Sequence, residues 1–299
     1  MDVSTDVVPL PAHRYRLPAL LQDIRLLDLL EISGTSLEVS RMCGISQPTI
    51  SRRTRVLAQD FALEVNRRRQ VGCCYGTSTA IQLLRLGCRA HRLAAGVARL
   101  GADVLLQPLL ADCHWLLPSP PRFRPVPSWL ELVRQGVLDG ALVSGLGFGE
   151  EGPPPADGLE LLPLGEWLLE LAMAPEQVLP SGDLPAVLLP NRAVGQGLQR
   201  ELQQRGLAIK MVGNTCQTPA HWRQRLQGSA VAMPLLQLQP AHWWQGLTRL
   251  PLPTPLPMPL WLVLPAGWQE QPVLRHTVEE LSREGGLQQF EDWKDAPRA

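Results

Sequence analysis

Residues 36 to 61 read SLEVSRMCGISQPTISRRTRVLAQDF, and this stretch decides the architecture. Leu37, Val39, Met42 and Ile45 place apolar side chains at roughly helical spacing. Gly44 follows where the chain must turn sharply, a position suited to left-handed backbone angles. Ser46 then offers an N-cap hydroxyl, and Pro48 falls in the first turn of a second helix, where no hydrogen bond is lost. Ile50, Thr54 and Leu57 point inward at i, i+4 and i+7, which leaves Gln47, Thr49, Ser51, Arg52, Arg53 and Arg55 on or near the outer face. Polar side chains at a helix N-terminus suit base edges in the major groove, and arginines suit phosphates or guanine. The plainer reading of the same spacing is a helical pair with a solvated basic face.

The charge around this stretch is uneven. Seven arginines lie between Arg41 and Arg69 against Asp60 and Glu64, a local balance of +5 in a chain whose net charge is zero. Overall neutrality argues against a nonspecific nucleic-acid coat, whereas a local basic patch fits focused DNA contact. The segment from Ala62 to Gly72 alternates briefly and carries Asn66, Arg67, Arg68 and Arg69. It reads as a short hairpin wing or as a solvated loop.

With 299 residues, of which 45% are apolar, two or three domains with sizeable cores are expected. No apolar run reaches membrane-spanning length, and the N-terminus lacks the pattern of a secretory signal, so a cytoplasmic protein without membrane contact is expected. The six cysteines are scattered without a CxxC pair and read as packed thiols. No GxSxG, HExxH or P-loop appears, and no enzymatic activity or cofactor is expected. Gly145, Gly147 and Gly149 have the wrong spacing for a phosphate loop and run into Pro153 to Pro155. His221 and His242 lack a second ligand at helical spacing, so no metal site is expected.

Along the chain, residues 1 to 17 read as a disordered or loosely attached arm, and Pro18 to Ser33 as an amphipathic helix ended by Gly34. Most of Gly76 to about Ala98 reads as one long helix, whose sequence alone would also suit a core helix. Beyond it proline and glycine become frequent, and short strand-like and helix-like segments alternate, an α/β pattern. GVARLGADVLLQPLLADC reads as strand, turn and helix. A helix from Trp129 to Gly136 and a strand from Val137 to Gly145 follow, with Asp139 capping the strand. Ala186 to Pro190, Ala208 to Val212, Ala230 to Met233 and Leu256 to Pro265 read as strands. Gly195 to Arg205, Pro219 to Leu226 and Thr277 to Phe290 read as helices.

The run ISQPTISRRTRVLAQDFALEV resembles the recognition helix of LysR-type transcriptional regulators, through Ser46, Gln47, Pro48, Ile50, Ser51, Arg52 and Leu57. The later phrase Val-Arg-Gln-Gly-x-Leu-Asp-Gly-Ala-Leu, starting at Val133, is also close to that family's wording. The resemblance covers about 18 to 290 and implies an α/β multidomain chain. It comprises a winged helix-turn-helix DNA-binding domain (18–75), a linker and dimerisation helix (76–96), and a two-lobed, periplasmic-binding-protein-like (type 2) effector-binding domain (97–290). Lobe one would span about 97–165 plus 262–290, and lobe two about 170–258.

By resemblance, the DNA-binding residues are Ser46, Gln47, Pro48, Thr49, Ser51, Arg52, Arg53, Arg55, Arg67, Arg68 and Arg69. The interlobe cleft would be lined by Ala102, Asp103, Ser144, Asn191, Arg192, Asn214, Thr215 and Met233. Asp103 at a helix start works against an anion there, which leaves a neutral or cationic effector, or none, as the expectation. The implied partners are double-stranded promoter DNA carrying an interrupted inverted repeat, a second copy of the chain in a homodimer or homotetramer, and a small-molecule effector. The alternative is a small-molecule-binding or protein-interaction module on the same fold without a DNA-regulatory role.

Overall fold

A computed structural model describes residues 11–68, 71–120, 122–148, 157–176, 184–190, 196–213, 218–237, 243 and 245–284. The N-terminal head begins with helix α1 (Gln22–Ser33), which ends where Gly34 takes φ +73° and returns its N–H to the Leu30 carbonyl. Thr35 caps α2 (Ser36–Cys43) by accepting from the Glu38 N–H. Gly44 then turns the chain at φ +66° into α3 (Gln47–Asp60). Both glycines occupy a backbone region that a Cβ disfavours. Val39 from α2 and Ile50 from α3 close on Leu26, Leu29 and Leu30 of α1. Each such buried aliphatic side chain contributes roughly 1.5–3 kcal/mol.

Residues 11–17 are packed rather than loosely attached. Ala12 and Leu17 are buried, the Ala12 N–H donates to the His114 carbonyl at 2.8 Å, and the Tyr15 hydroxyl lies 3.0 Å from His91 Nδ1. The apolar body of Leu17, seated beside Ile24, Leu57 and Ile81, offsets the entropy lost on ordering this segment. After α3 the chain turns at Ala62 and buries Leu63. It returns through a wing closed by one backbone bond, Asn66 N–H to the Cys74 carbonyl at 2.7 Å, with no strand ladder among the described residues.

Helix α4 (Thr79–Ala94) is capped by Ser78, which accepts from the Ile81 N–H, and is shorter than the span read from sequence. Gly96, at φ +70°, follows its end. Its inner face carries Ile81, Cys88 and Leu93, and also the buried arginines Arg85, Arg89 and Arg92.

The remaining chain builds strands β1 (Leu100–Ala102), β2 (Gly140–Ser144), β3 (Leu159–Met173), β4 (Ala186–Pro190), β5 (Ile209–Val212), β6 (Val231–Leu236), β7 (Thr248–Leu250) and β8 (Pro257–Pro265). Their order is β1-β2-β8-β3-β6-β4-β5, with β7 beside β3. The long β3 splits this sheet into two lobes. Its first part, Leu159 to Leu168, pairs antiparallel with β8, which pairs with β2. Its last part, Leu169 to Met173, pairs with β6 and β7. Parallel pairs β1–β2 and β4–β5 close the two ends. Helices α5 (Val126–Arg134), α6 (Gln196–Gln204), α7 (Pro219–Gln224) and α8 (Pro272–Glu284) accompany the strands.

One expected helix is absent. The segment after β1 holds only a 3-10 turn, Gln107–Leu110. Pro108 lacks the N–H that a continuing helix needs, and Asp103 spends its carboxylate on nearby backbone donors.

Candidate nucleic-acid interface and effector cavity

The sequence of α3 places one polar face outward. Ser46, Gln47, Pro48, Ser51, Arg52 and Arg55 are exposed, and Thr49 and Arg53 are half-buried. Gln47, Ser51 and Arg55 recur every four residues, and Arg52 follows Pro48 by the same step, so they share one stripe. The helix carries no acidic residue until Asp60. Ser46 stands at the N-cap, but its hydroxyl pairs with the Thr49 hydroxyl at 2.9 Å instead of a backbone N–H. Thr54 is half-buried and donates back to the Ile50 carbonyl at 2.8 Å. The Arg53 guanidinium turns back onto Asp23 of α1, with Nε 2.5 Å from Oδ1. In the wing, Arg67 lies over the Tyr75 ring at 5.6 Å, and the Arg68 backbone N–H donates to Asn66 Oδ1 at 3.1 Å. Arg69 lies outside the described residues.

The head is seated on the first lobe through arginines. Arg124 donates to the Glu31 and Ile32 carbonyls, and Arg122 to the Ser33 carbonyl, so the last turn of α1 is capped from the other side of the interface. The Glu31 carboxylate accepts from the Cys74 and Tyr75 N–H groups at 2.6 and 2.7 Å. Burial pushes the Glu31 carboxyl up to about 7, against the pull of those two donors and of Arg85 and Arg124. Asp28 pairs with Arg85 at 2.7 Å, both fully buried. Trp129 of α5 stacks under Arg124 and packs with Ile32 and Cys73 in one cluster.

Asp139, expected to cap a strand, is instead the anchor of a buried charge cluster. Its two oxygens take Arg92 in a bidentate pair at 2.9 and 2.6 Å, and Oδ2 also accepts the Arg99 N–H at 2.7 Å. Arg89 approaches at 3.5 Å. Burial opposes ionisation of Asp139, but the Arg92 charge and its hydrogen bonds hold the carboxyl below the usual carboxylate range.

The cleft positions separate into two groups. Ala102 is buried at the end of β1 and lines a cavity of about 950 Å³. Asp103 turns inward. It accepts from the Leu105 and Ser144 N–H groups at 3.1 and 2.8 Å, tying the ends of β1 and β2, and burial raises its pKa against those bonds. Ser144 is buried at the end of β2 and Met233 within β6. Asn191, Arg192, Asn214 and Thr215 lie outside the described residues. The cavity is walled by the head at Thr35, Leu37, Glu38 and Arg41, by the first lobe, and by the second lobe at Thr218 to His221 and Trp243. Sequence reasoning missed Arg122 and the α2 wall. The available signal was the pair of arginines inside PSPPRFRPVP, charges in a proline-rich stretch with no helical or strand period of its own.

No family model matches the chain, and no curated protein matches it. Among solved structures it is similar to full-length CbnR complexed with its target DNA, at 14% identity, covering 89% of this chain and 99% of that one, with a TM-score of 0.49. It is similar to a full-length OxyR variant from Pseudomonas aeruginosa at 13% identity, covering 89% and 97%, with a TM-score of 0.45. It is also similar to full-length LysG from Corynebacterium glutamicum with bound effector Arg, at 17% identity, covering 88% and 98%, with a TM-score of 0.42. These three structures are full-length LysR-type regulators.

Proposed function

We propose that the chain is a sequence-specific DNA-binding transcriptional regulator of the LysR type. The observation that carries this reading is the exposed stripe of α3, Gln47, Ser51, Arg52 and Arg55, presented after the Gly44 turn on a packed three-helix head. Such a helix meets base edges with its N-terminal side chains and phosphates with its arginines. Arg53 would act through Asp23, fixing α3 on α1. Arg67 and Arg68 in the wing would meet the backbone of the duplex. The regulator would act as a homodimer or homotetramer. The outer face of α4 supports this, because Leu83 and Leu86 are 65% and 44% exposed and continue into Ala90 and Ala94. Two heads paired through that face would read an interrupted inverted repeat, and an effector held between the lobes would bias their spacing. No helix among the described residues is long and apolar enough to cross a membrane.

Selection of binding sites from random duplex DNA, followed by fluorescence anisotropy across salt concentration, tests the reading. An interrupted inverted repeat should emerge, with affinity falling steeply as salt rises. Arg52→Ala and Arg55→Ala should each weaken binding, and a substituted phosphate contact should lower the salt slope by about one. Weak binding that neither variant changes would refute the regulator and leave a ligand-binding or interaction module.

A further inference from the structure

We infer that the cavity between the head and the lobes binds a small amphipathic carboxylate, with Arg122 receiving the carboxylate and α2 of the head forming one wall. The inference deepens the regulator reading and rests on it only for its consequence at DNA. At about 950 Å³ the cavity has the volume of a small-molecule site. Leu37, Leu110, Leu117, Pro118 and Pro219 give it an apolar lining, with Trp243 beside them.

Charge selects the ligand class. Among the described residues two arginines line the cavity, and they differ. Arg41 is already neutralised by Glu38 at 2.6 Å on the same helix. Arg122 has no carboxylate within ion-pair distance among the described residues; its guanidinium donates to the Ser33 carbonyl. A half-buried guanidinium without a counter-ion, set among apolar walls, recognises a carboxylate through parallel N–H donors. The apolar lining then requires a hydrocarbon or aromatic body rather than a sugar or a polyanion. Gln107 holds the site from behind, its Nε2 donating to the Arg122 carbonyl at 2.8 Å and to the Ala102 carbonyl at 3.3 Å.

The position of Arg122 makes the site consequential. The side chain that would take the ligand is also the cap of α1, and it lies so close to Gly34 that a Cβ there would collide with it. Gly34 and Thr35 are the corner between α1 and α2. A bound carboxylate therefore acts on the corner that sets α2 and α3, and touches Leu37 directly. Ligand and head share one residue, so occupancy biases the orientation of the head within a single protomer.

Isothermal titration of the full chain with 2-naphthoate, decanoate and their neutral amides tests the site. At least one carboxylate should bind, and its amide should bind at least tenfold more weakly. Arg122→Gln should weaken the carboxylate at least tenfold, and Arg122→Lys should retain part of the affinity. Leu37→Trp, at a side chain already 43% exposed, should fill the head-side wall and block binding without shifting the thermal midpoint of the free protein. The inference is overturned if no carboxylate binds, if the amides bind equally, or if Leu37→Trp leaves the affinity within twofold. Should Arg122→Gln fail to fold, Leu37→Trp and the amide comparison still decide. DNA binding of the ligand-free protein, measured in parallel, separates the two readings. Intact DNA binding without carboxylate binding sinks the cavity alone, and lost DNA binding with carboxylate binding sinks the regulator alone.

Discussion

Replacing Asp139 by alanine should be among the most destabilising single changes in this chain. Asp139 is fully buried, and its carboxylate is the counter-charge for Arg92 at 2.6 and 2.9 Å, with Arg89 at 3.5 Å and the Arg99 N–H at 2.7 Å. Arg99 brings a third guanidinium whose Nε and Nη1 find no acceptor among the described residues, and burial followed by the Arg92 charge lowers its pKa to about 10. Removing the carboxylate leaves these buried cations without the carboxylate they pair with, Asp28 being engaged by Arg85. Breaking a buried pair in this way costs about 3–5 kcal/mol, a large share of the roughly 5–15 kcal/mol that holds a domain folded. Urea unfolding followed by circular dichroism should show the midpoint fall with the m-value unchanged. Pairing Asp139→Ala with Arg92→Leu should recover part of the loss, because one orphaned charge is removed with its partner. A loss below about 1 kcal/mol for Asp139→Ala would refute the claim that this cluster fastens α4 to the start of β2.

Three further outcomes are expected. Gly34→Ala should cost more than about 1 kcal/mol in denaturant unfolding, since φ is +73° and the new methyl meets Arg122; Gly44→Ala, with open space around it, should cost less. Glu31 has its carboxyl raised from 4.5 to about 7, so its contribution is full below pH 4.5 and is lost as pH rises through 7, a span of up to about 3 kcal/mol. Thermal midpoints between pH 4.5 and 8 should show that fall in the native chain and a flatter profile in Glu31→Gln. Leu83→Glu with Leu86→Glu should leave the fold intact, both side chains being exposed, and should convert dimers to monomers in sedimentation velocity; an unchanged sedimentation coefficient would remove α4 as the dimer face.

The head was legible because its signals are local. Gly34 and Gly44 both take positive φ where the sequence placed turns, and Val39, Ile50 and Leu57 are buried at the predicted periods. The strand Ala186–Pro190 was legible as a short apolar run between breakers, and the strand read at Ala230 to Met233 runs on to Leu236 in the structure. What the sequence misread depends on partners far along the chain. Asp103 follows a strand as a ligand contact would, yet its charge is spent on the Ser144 N–H, which only the pairing of β1 with β2 brings near. The arm at 11–17 is ordered by His114 and His91, about a hundred and about eighty residues away.

Residue chemistry alone therefore determined the turns at Gly34 and Gly44 and which face of α3 stays polar, since capping, turning and amphipathic spacing act within a few residues. The tertiary structure alone decided which charges are free. Arg53 and Arg55 are indistinguishable in the sequence, but Asp23 of α1 engages one and leaves the other exposed. Arg122 sat unnoticed in a proline-rich stretch until the fold set it against the end of α1 and the wall of the cavity. The physical reason is that a charge's role depends on its counter-charge and its solvent, and both are supplied by the long-range packing of the chain.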